Sequence, residues 1–135
     1  MTDFIAYHSA ERMGYEYEPK GDFHFFSRKP ESFLRSAIGC RVWTLSGKRD
    51  RKGHTVFRLA GVFTPSTVNP EIDGFGIAGE GTLFRPQIDV TSEPWLAELR
   101  REQNNFSFGF NRIRSPVVID ALLRLQRDHA CSDLP

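Results

Sequence analysis

Tyr7, His8, Phe26 and Trp43 each stand at or beside the end of a segment that reads as a β-strand, with polar neighbours. Planar side chains in such places suit the mouth of a small barrel, where they can hold a flat heterocycle; the competing reading is ordinary core packing. A second group is cationic. Lys48, Arg49, Arg51, Lys52 and Arg58 meet a single acid, Asp50, around a segment bounded by Gly47 and Gly53. A basic loop of this kind is either a solvated hairpin tip or an element that meets phosphate. Arg100, Arg101, Arg112 and Arg114 form a further cationic group opposed by Glu102, while acids collect from Glu71 to Glu93.

Other chemistries lack their residues. Gly74, Gly76 and Gly79 satisfy a dinucleotide-type G-x-G-x-x-G, but that motif needs a strand before it and a helix starting within it. Here Pro70 precedes it and Glu80 to Pro86 cannot be helical, so a flexible loop is expected, one able to move over a ligand. His8, His24, His54 and His129 do not space like metal ligands. Cys40 follows the helix-ending Gly39 and is expected in the core, and no G-x-S-x-G, P-loop or carboxylate dyad supports hydrolysis or phosphoryl transfer. The residues argue against an enzyme and against a cofactor or metal.

These groups must be positioned by a chain of 135 residues, 39% hydrophobic and 26% charged, values that predict one folded domain over residues 1–135. The net charge of +1 means that any polyanion must be met by a local patch. The two cysteines have no disulfide-framework or zinc spacing, and neither a signal peptide nor an apolar run of ~20 residues is seen, so a soluble, reduced, cytoplasmic protein with no membrane partner is expected.

Strands are predicted at Asp3 to Ser9, Asp22 to Ser27, Arg41 to Ser46 and His54 to Phe63, the last two joined by an exposed hairpin. A polar turn from Glu11 to Gly21 separates the first two. A two-turn helix is expected over Glu31 to Ile38. Breakers from Thr64 to Gly81 give way to short extended pieces at Thr82 to Arg85 and Gln87 to Thr91. Helices should start near Ser92 and at Ser115–Pro116, the second ending in a frayed tail from Ala130. Between them Phe106, Phe108 and Phe110 alternate as a strand with three rings on one face. The pattern is α+β: a small curled or closed β-barrel of five to seven short strands with about three peripheral helices.

Three segments, Phe4-Ile-Ala-Tyr-His-Ser-Ala-Glu-Arg-Met-Gly14, Ala37-Ile-Gly-Cys-Arg-Val-Trp-Thr-Leu-Ser-Gly47 and Asn105-Phe-Ser-Phe-Gly-Phe-Asn-Arg-Ile113, resemble the N-terminal EVE-like module of modification-dependent HNH restriction endonucleases. That module belongs to the PUA-like superfamily, with the YTH and ASCH domains. The resemblance spans nearly the whole chain; the nuclease half and its His-Asn-His site are missing, and Ser9 stands where family motifs carry Asn. It implies a barrel that accepts an extruded, modified base of DNA, such as a modified cytosine, with a separate nuclease chain as a candidate partner. On that reading Tyr7, Phe26 and Trp43 wall the base and His8, Ser9 and Ser27 meet its polar edge. Lys48, Arg49, Arg51 and Lys52 straddle the phosphates, and Arg112 and Arg114 form a second clamp. The rival readings are a modified-RNA reader, an ASCH-like enzyme on a nucleoside using Glu11 or Lys29, and a protein-interaction module whose aromatics are simply core.

Overall fold

The computed structural model describes residues 2–17 and 22–132, with side chains through 129. In chain order the elements are β1 (Asp3–Ser9), α1 (Ala10–Met13), β2 (Asp22–Ser27), α2 (Glu31–Arg35), β3 (Arg41–Arg49), β4 (Thr55–Glu71), β5 (Gly74–Asp89), α3 (Pro94–Glu102), β6 (Phe110–Arg112) and α4 (Pro116–Ser132). The six strands make one mixed sheet in the order β2-β5-β4-β3-β1-β6, curled into a half-barrel, with β1 and β3 parallel and every other pairing antiparallel. The α+β curled architecture is therefore as the residue pattern predicts.

Alternation along the strands splits the core in two. Ile5, Trp43, Leu45, Phe57 and Leu59 pack under Trp95, Leu96 and Leu99 of α3 and Val118 and Leu122 of α4. Phe4, Ala6, Val42, Phe23, Phe63 and Ile77 fill the inside of the curl with Leu34 of α2. There the two edge strands approach through rings, Phe25 of β2 standing 6.2 Å from Phe110 of β6.

The start of the sheet is held by a buried charge. Asp3 is fully buried, and its carboxylate accepts from Arg41 Nε and Nη2, both at 2.9 Å, and from Trp43 Nε1 at 2.8 Å. The aspartate in turn keeps the Arg41 guanidinium above its ordinary pKa, chiefly by hydrogen bonding. Trp43 is thereby taken out of any pocket wall: it is fully buried with its polar edge spent on Asp3.

Four expectations are corrected. Residues 64–81 are not a loop but the paired arms of β4 and β5, so the glycine motif lies in a strand and cannot sweep over a ligand. Two of its glycines stand where a side chain would not fit: a Cβ at Gly79 would strike the Thr64 carbonyl, and one at Gly74 the Ser27 carbonyl. Residues 106–109 do not form a strand, and only Phe110 enters one, at the start of β6. Asn104, Asn105 and Phe106 take φ values of 50°, 53° and 64°, a left-handed run costing roughly 1–2 kcal/mol per residue. It sends Phe106 to the helix-covered core and Phe110 to the inner one, and leaves Phe108 exposed. The Glu31 helix is only five residues long, its continuation reduced to turns before Gly39 at φ 83°. The last helix continues through Ser132, beyond the start of the expected fray.

Arg41→Met should cost about 3 kcal/mol or more in urea unfolding, because the Asp3 charge would stay buried without its partner. A loss below about 1 kcal/mol would mean that the carboxylate is satisfied without Arg41.

Candidate functional site

β1 and β3 run parallel in register from Asp3 opposite Arg41 to Ser9 opposite Gly47, so both carboxyl ends reach the same end of the half-barrel. There the chain leaving β1 turns through α1, whose first turn is capped by Ser9 Oγ accepting from Arg12 N at 3.3 Å and whose end is turned by Gly14 at φ 84°. Residues 15–17 then form a strap tied to the sheet by three side chains. His8 Nε2 donates to the Tyr15 carbonyl at 2.7 Å, Gln87 Nε2 donates to the Tyr17 carbonyl at 3.1 Å, and Lys48 pairs with Glu16. The His8 ring lies beneath, 4.9 Å from the Tyr15 ring and 5.2 Å from that of Tyr17.

Strap and sheet enclose a cavity of about 250 Å³, lined by Ala10, Glu16, Tyr17, Ser46, Gly47, Lys48, Arg58, Pro86 and Gln87. Pro86 and Gln87 reach it through an irregularity in β5. Leu59 pairs with Ile88 and Gly61 with Leu83, so the four residues 84–87 bulge opposite Ala60 alone. The volume lies just under the roughly 300–1,000 Å³ of sites for drug-sized ligands, which suits one small ring. Tyr17 and Pro86 provide flat apolar surface, while Ser46, Gln87 and the Lys48–Glu16 pair provide donors and acceptors.

Charge is concentrated at the same end. Arg49, Arg51 and Lys52 extend, exposed, from the β3–β4 hairpin beyond Lys48, and among the described residues neither they nor Arg58 make an ion pair. Asp50 is occupied in shaping the turn, its carboxylate accepting from Lys52 N at 2.9 Å and His54 N at 3.0 Å. Lys48 holds the Glu16 carboxyl below its ordinary range, first by hydrogen bond and then by charge, so Glu16 is an anion at neutral pH. Burial pushes the Tyr17 hydroxyl up to about 12, opposed in part by Thr44. Its oxygen is shielded from solvent and has no partner at hydrogen-bonding geometry.

The residues expected to form the site do not converge. Lys48 lines the cavity and Arg49, Arg51 and Lys52 stand beside it. Tyr7 is stacked on Phe106, with centroids 4.4 Å apart, its hydroxyl against Gly47, where a Cβ would collide with it. That hydroxyl is raised by burial and then by Glu11. His8 supports the strap and Ser9 caps α1, so each acts one step behind the wall. Phe26 pairs with Gly76, eleven positions back along β5 from Gln87, and carries Arg28 at 5.9 Å over its ring; Ser27 is buried and accepts from Lys29 N at 3.1 Å. Trp43 is core. Arg112 lies opposite Phe4, at the far end of β1 from the strap, with its guanidinium over Phe4 and Phe33, and Arg114 follows it, its backbone N–H donating to Glu102. They cannot clamp a ligand held under the strap. Glu11 accepts from Arg49 N at 2.7 Å and Lys29 sits over the Phe33 and Phe108 rings.

The wall that sequence reasoning missed is Tyr17 with Pro86 and Gln87. The Tyr15-Glu16-Tyr17 alternation inside a nominal polar turn, and a proline interrupting an extended segment, were the available signals.

Among the described residues no helix is long and apolar enough to cross a membrane, and no group of three His, Cys, Asp or Glu side chains stands together to hold a metal ion. Comparison with protein-family models, with curated proteins and with solved structures finds no match to this chain.

Tyr17→Phe should leave stability unchanged or raise it, since it removes a buried hydroxyl that lacks a partner. In the wild type the raised hydroxyl pKa favours the neutral, folded form. Its contribution is complete below pH 10 and lost as pH rises towards about 12, amounting to roughly 2–3 kcal/mol. Denaturant unfolding at pH 9 and pH 12 should show that loss in the wild type and a smaller one in Tyr17→Phe. Equal losses in both would show that Tyr17 is not the titrating group.

Proposed function

We propose that this chain is a non-catalytic nucleic-acid-binding module that takes one extruded, modified base of DNA into the cavity under the 15–17 strap. The observation that carries this reading is a ring-sized cavity with a tyrosine wall and a polar edge, opening at the root of a hairpin with unpaired cations. The EVE-like and PUA-like resemblance of the sequence supports the same reading. The module acts in the cytoplasm in restriction-modification or a related genome defence, with any nuclease supplied by a separate chain.

Extruding a base costs a few kcal/mol. Stacking on one aromatic platform returns about 1–3 kcal/mol, a role for Tyr17. The balance comes from phosphate contacts by Lys48, Arg49, Arg51 and Lys52, a term that weakens with salt. A methyl group alone would be distinguished by about 0.8 kcal/mol, roughly fourfold. The polar lining favours a modification that brings its own hydrogen-bonding atom, because an unmodified base would leave Gln87 or Ser46 unpaired.

The test is anisotropy with matched duplexes carrying either cytosine or a modified cytosine. Tyr17→Ala and Gln87→Ala should lose most of the preference between them, Lys52→Ala should weaken both equally and flatten the salt dependence, and Trp43→Phe should leave the preference intact. Unchanged preference in both Tyr17→Ala and Gln87→Ala would overturn the cavity assignment. Tighter binding to a matched RNA would transfer the reading to RNA.

A further inference from the structure

A second basin, of about 420 Å³, lies at the carboxyl end of α3, lined by Ala97, Arg100, Arg101, Asn104 and Asn105. No carboxylate lines it, and neither arginine makes an ion pair among the described residues. We infer that this basin is a phosphate site that receives the backbone of the same nucleic acid on the opposite side of the hairpin root from the base cavity, an inference that rests on the nucleic-acid reading.

Placement is the first argument. The Arg100 guanidinium lies 5.1 Å over the ring of Phe57, which belongs to the helix-covered core and is the cross-strand partner of Gly47. Gly47 lines the base cavity, so the two sites flank one hairpin, with the exposed cations Arg49, Arg51 and Lys52 beyond both.

Preorganisation is the second. Arg100 is held by its Nε, which donates to Asn105 Oδ1 at 3.0 Å, and by the Phe57 ring, leaving the terminal fork of the guanidinium for a ligand. That fork matches two phosphate oxygens. Asn104 and Asn105 reach the basin only because the chain takes a left-handed run through Phe106, and an unusual backbone maintained in this way is a pointer to function. Arginines in a last helical turn commonly just complement the helix dipole. Here the final carbonyls are already satisfied, those of Leu99, Arg100 and Arg101 accepting from the backbone N–H groups of Gln103, Asn105 and Asn104. Such a role also requires neither the basin nor the asparagines.

Titration of the full chain with inorganic phosphate should shift the Arg100 Nε–H and Arg101 Nε–H resonances, and the Arg101 shift should vanish in Arg100→Ala. Arg101→Ala removes no described contact and is expected to fold. With an unmodified duplex it should weaken binding about three- to tenfold near 0.1 M salt and lower the slope of log K against log salt by about 0.9, the value for one phosphate contact. Asn105→Gly keeps the left-handed backbone but frees Arg100, and should weaken binding in the same direction. An unaltered salt slope in both Arg101→Ala and Asn105→Gly overturns the phosphate site, even if inorganic phosphate binds. If instead Tyr17→Ala and Gln87→Ala leave base preference untouched while Arg101→Ala lowers the slope, the base cavity fails and the phosphate site stands.

Discussion

A carboxylate buried at the first residue of β1 sets the frame for everything else in this molecule. Removing such a charge from water costs several kcal/mol unless partners restore its hydrogen bonds. Asp3 finds them in Arg41 and Trp43, two residues on one face of β3, and its own carbonyl accepts from Ile113 N at 2.9 Å. One residue therefore ties β1 to β3 and to the approach to α4. Because Asp3 and Arg41 are also register partners, a slip by one position would separate the charges and turn Ile5 and Tyr7 away from the helix-covered core.

That register is transmitted, at about 3.3 Å per residue, to the other end of the parallel pair. It sets Ser46 and Lys48 on the inner face while Gly47 turns its bare Cα to the Tyr7 hydroxyl. Tyr7 is consequently a support for the floor of the cavity and not a wall of it. The near-neutral composition conceals a division along β4. Its first residues adjoin the cationic hairpin, whereas its last meet Glu71 and Asp73 at the turn into β5. The positive field is local to one end of the sheet, although the whole chain carries only +1.

The sequence was legible where structure is local. β1 and β2 have the bounds that their composition predicts, and α3 and α4 begin within a residue of the positions suggested by their prolines and polar caps. It was illegible where the deciding partner is distant. Trp43 looks like a strand-end aromatic until Asp3, forty residues earlier, claims its indole nitrogen. Tyr17 looks like part of a polar turn until Gln87, seventy residues later, binds its carbonyl. The glycines and prolines of 64–81 read as breakers because their usual meaning is conformational, whereas here the glycines make room for strands that curl closely. The left-handed run had a local cue: adjacent Asn104 and Asn105 are among the residues that best tolerate that conformation.

The aromatic wall of the cavity differs in energy from the frame behind it. The sheet is secured by a buried charge that accepts three hydrogen bonds and by two apolar cores. The strap is secured by one solvent-exposed ion pair, by two hydrogen bonds from side chains to backbone, each worth about 0.5–1.5 kcal/mol net, and by the Tyr15 and Tyr17 rings packed near His8. Against these stands the unpartnered Tyr17 hydroxyl, a penalty of about 1–3 kcal/mol. The strap is thus held by a few polar contacts and by ring packing on His8, without the buried charge that fixes β1 to β3. On the proposed reading, a flat ring entering beneath Tyr17 would add stacking of about 1–3 kcal/mol, comparable with the polar contacts of the strap. On that reading, the ligand and the strap would meet through this one side chain.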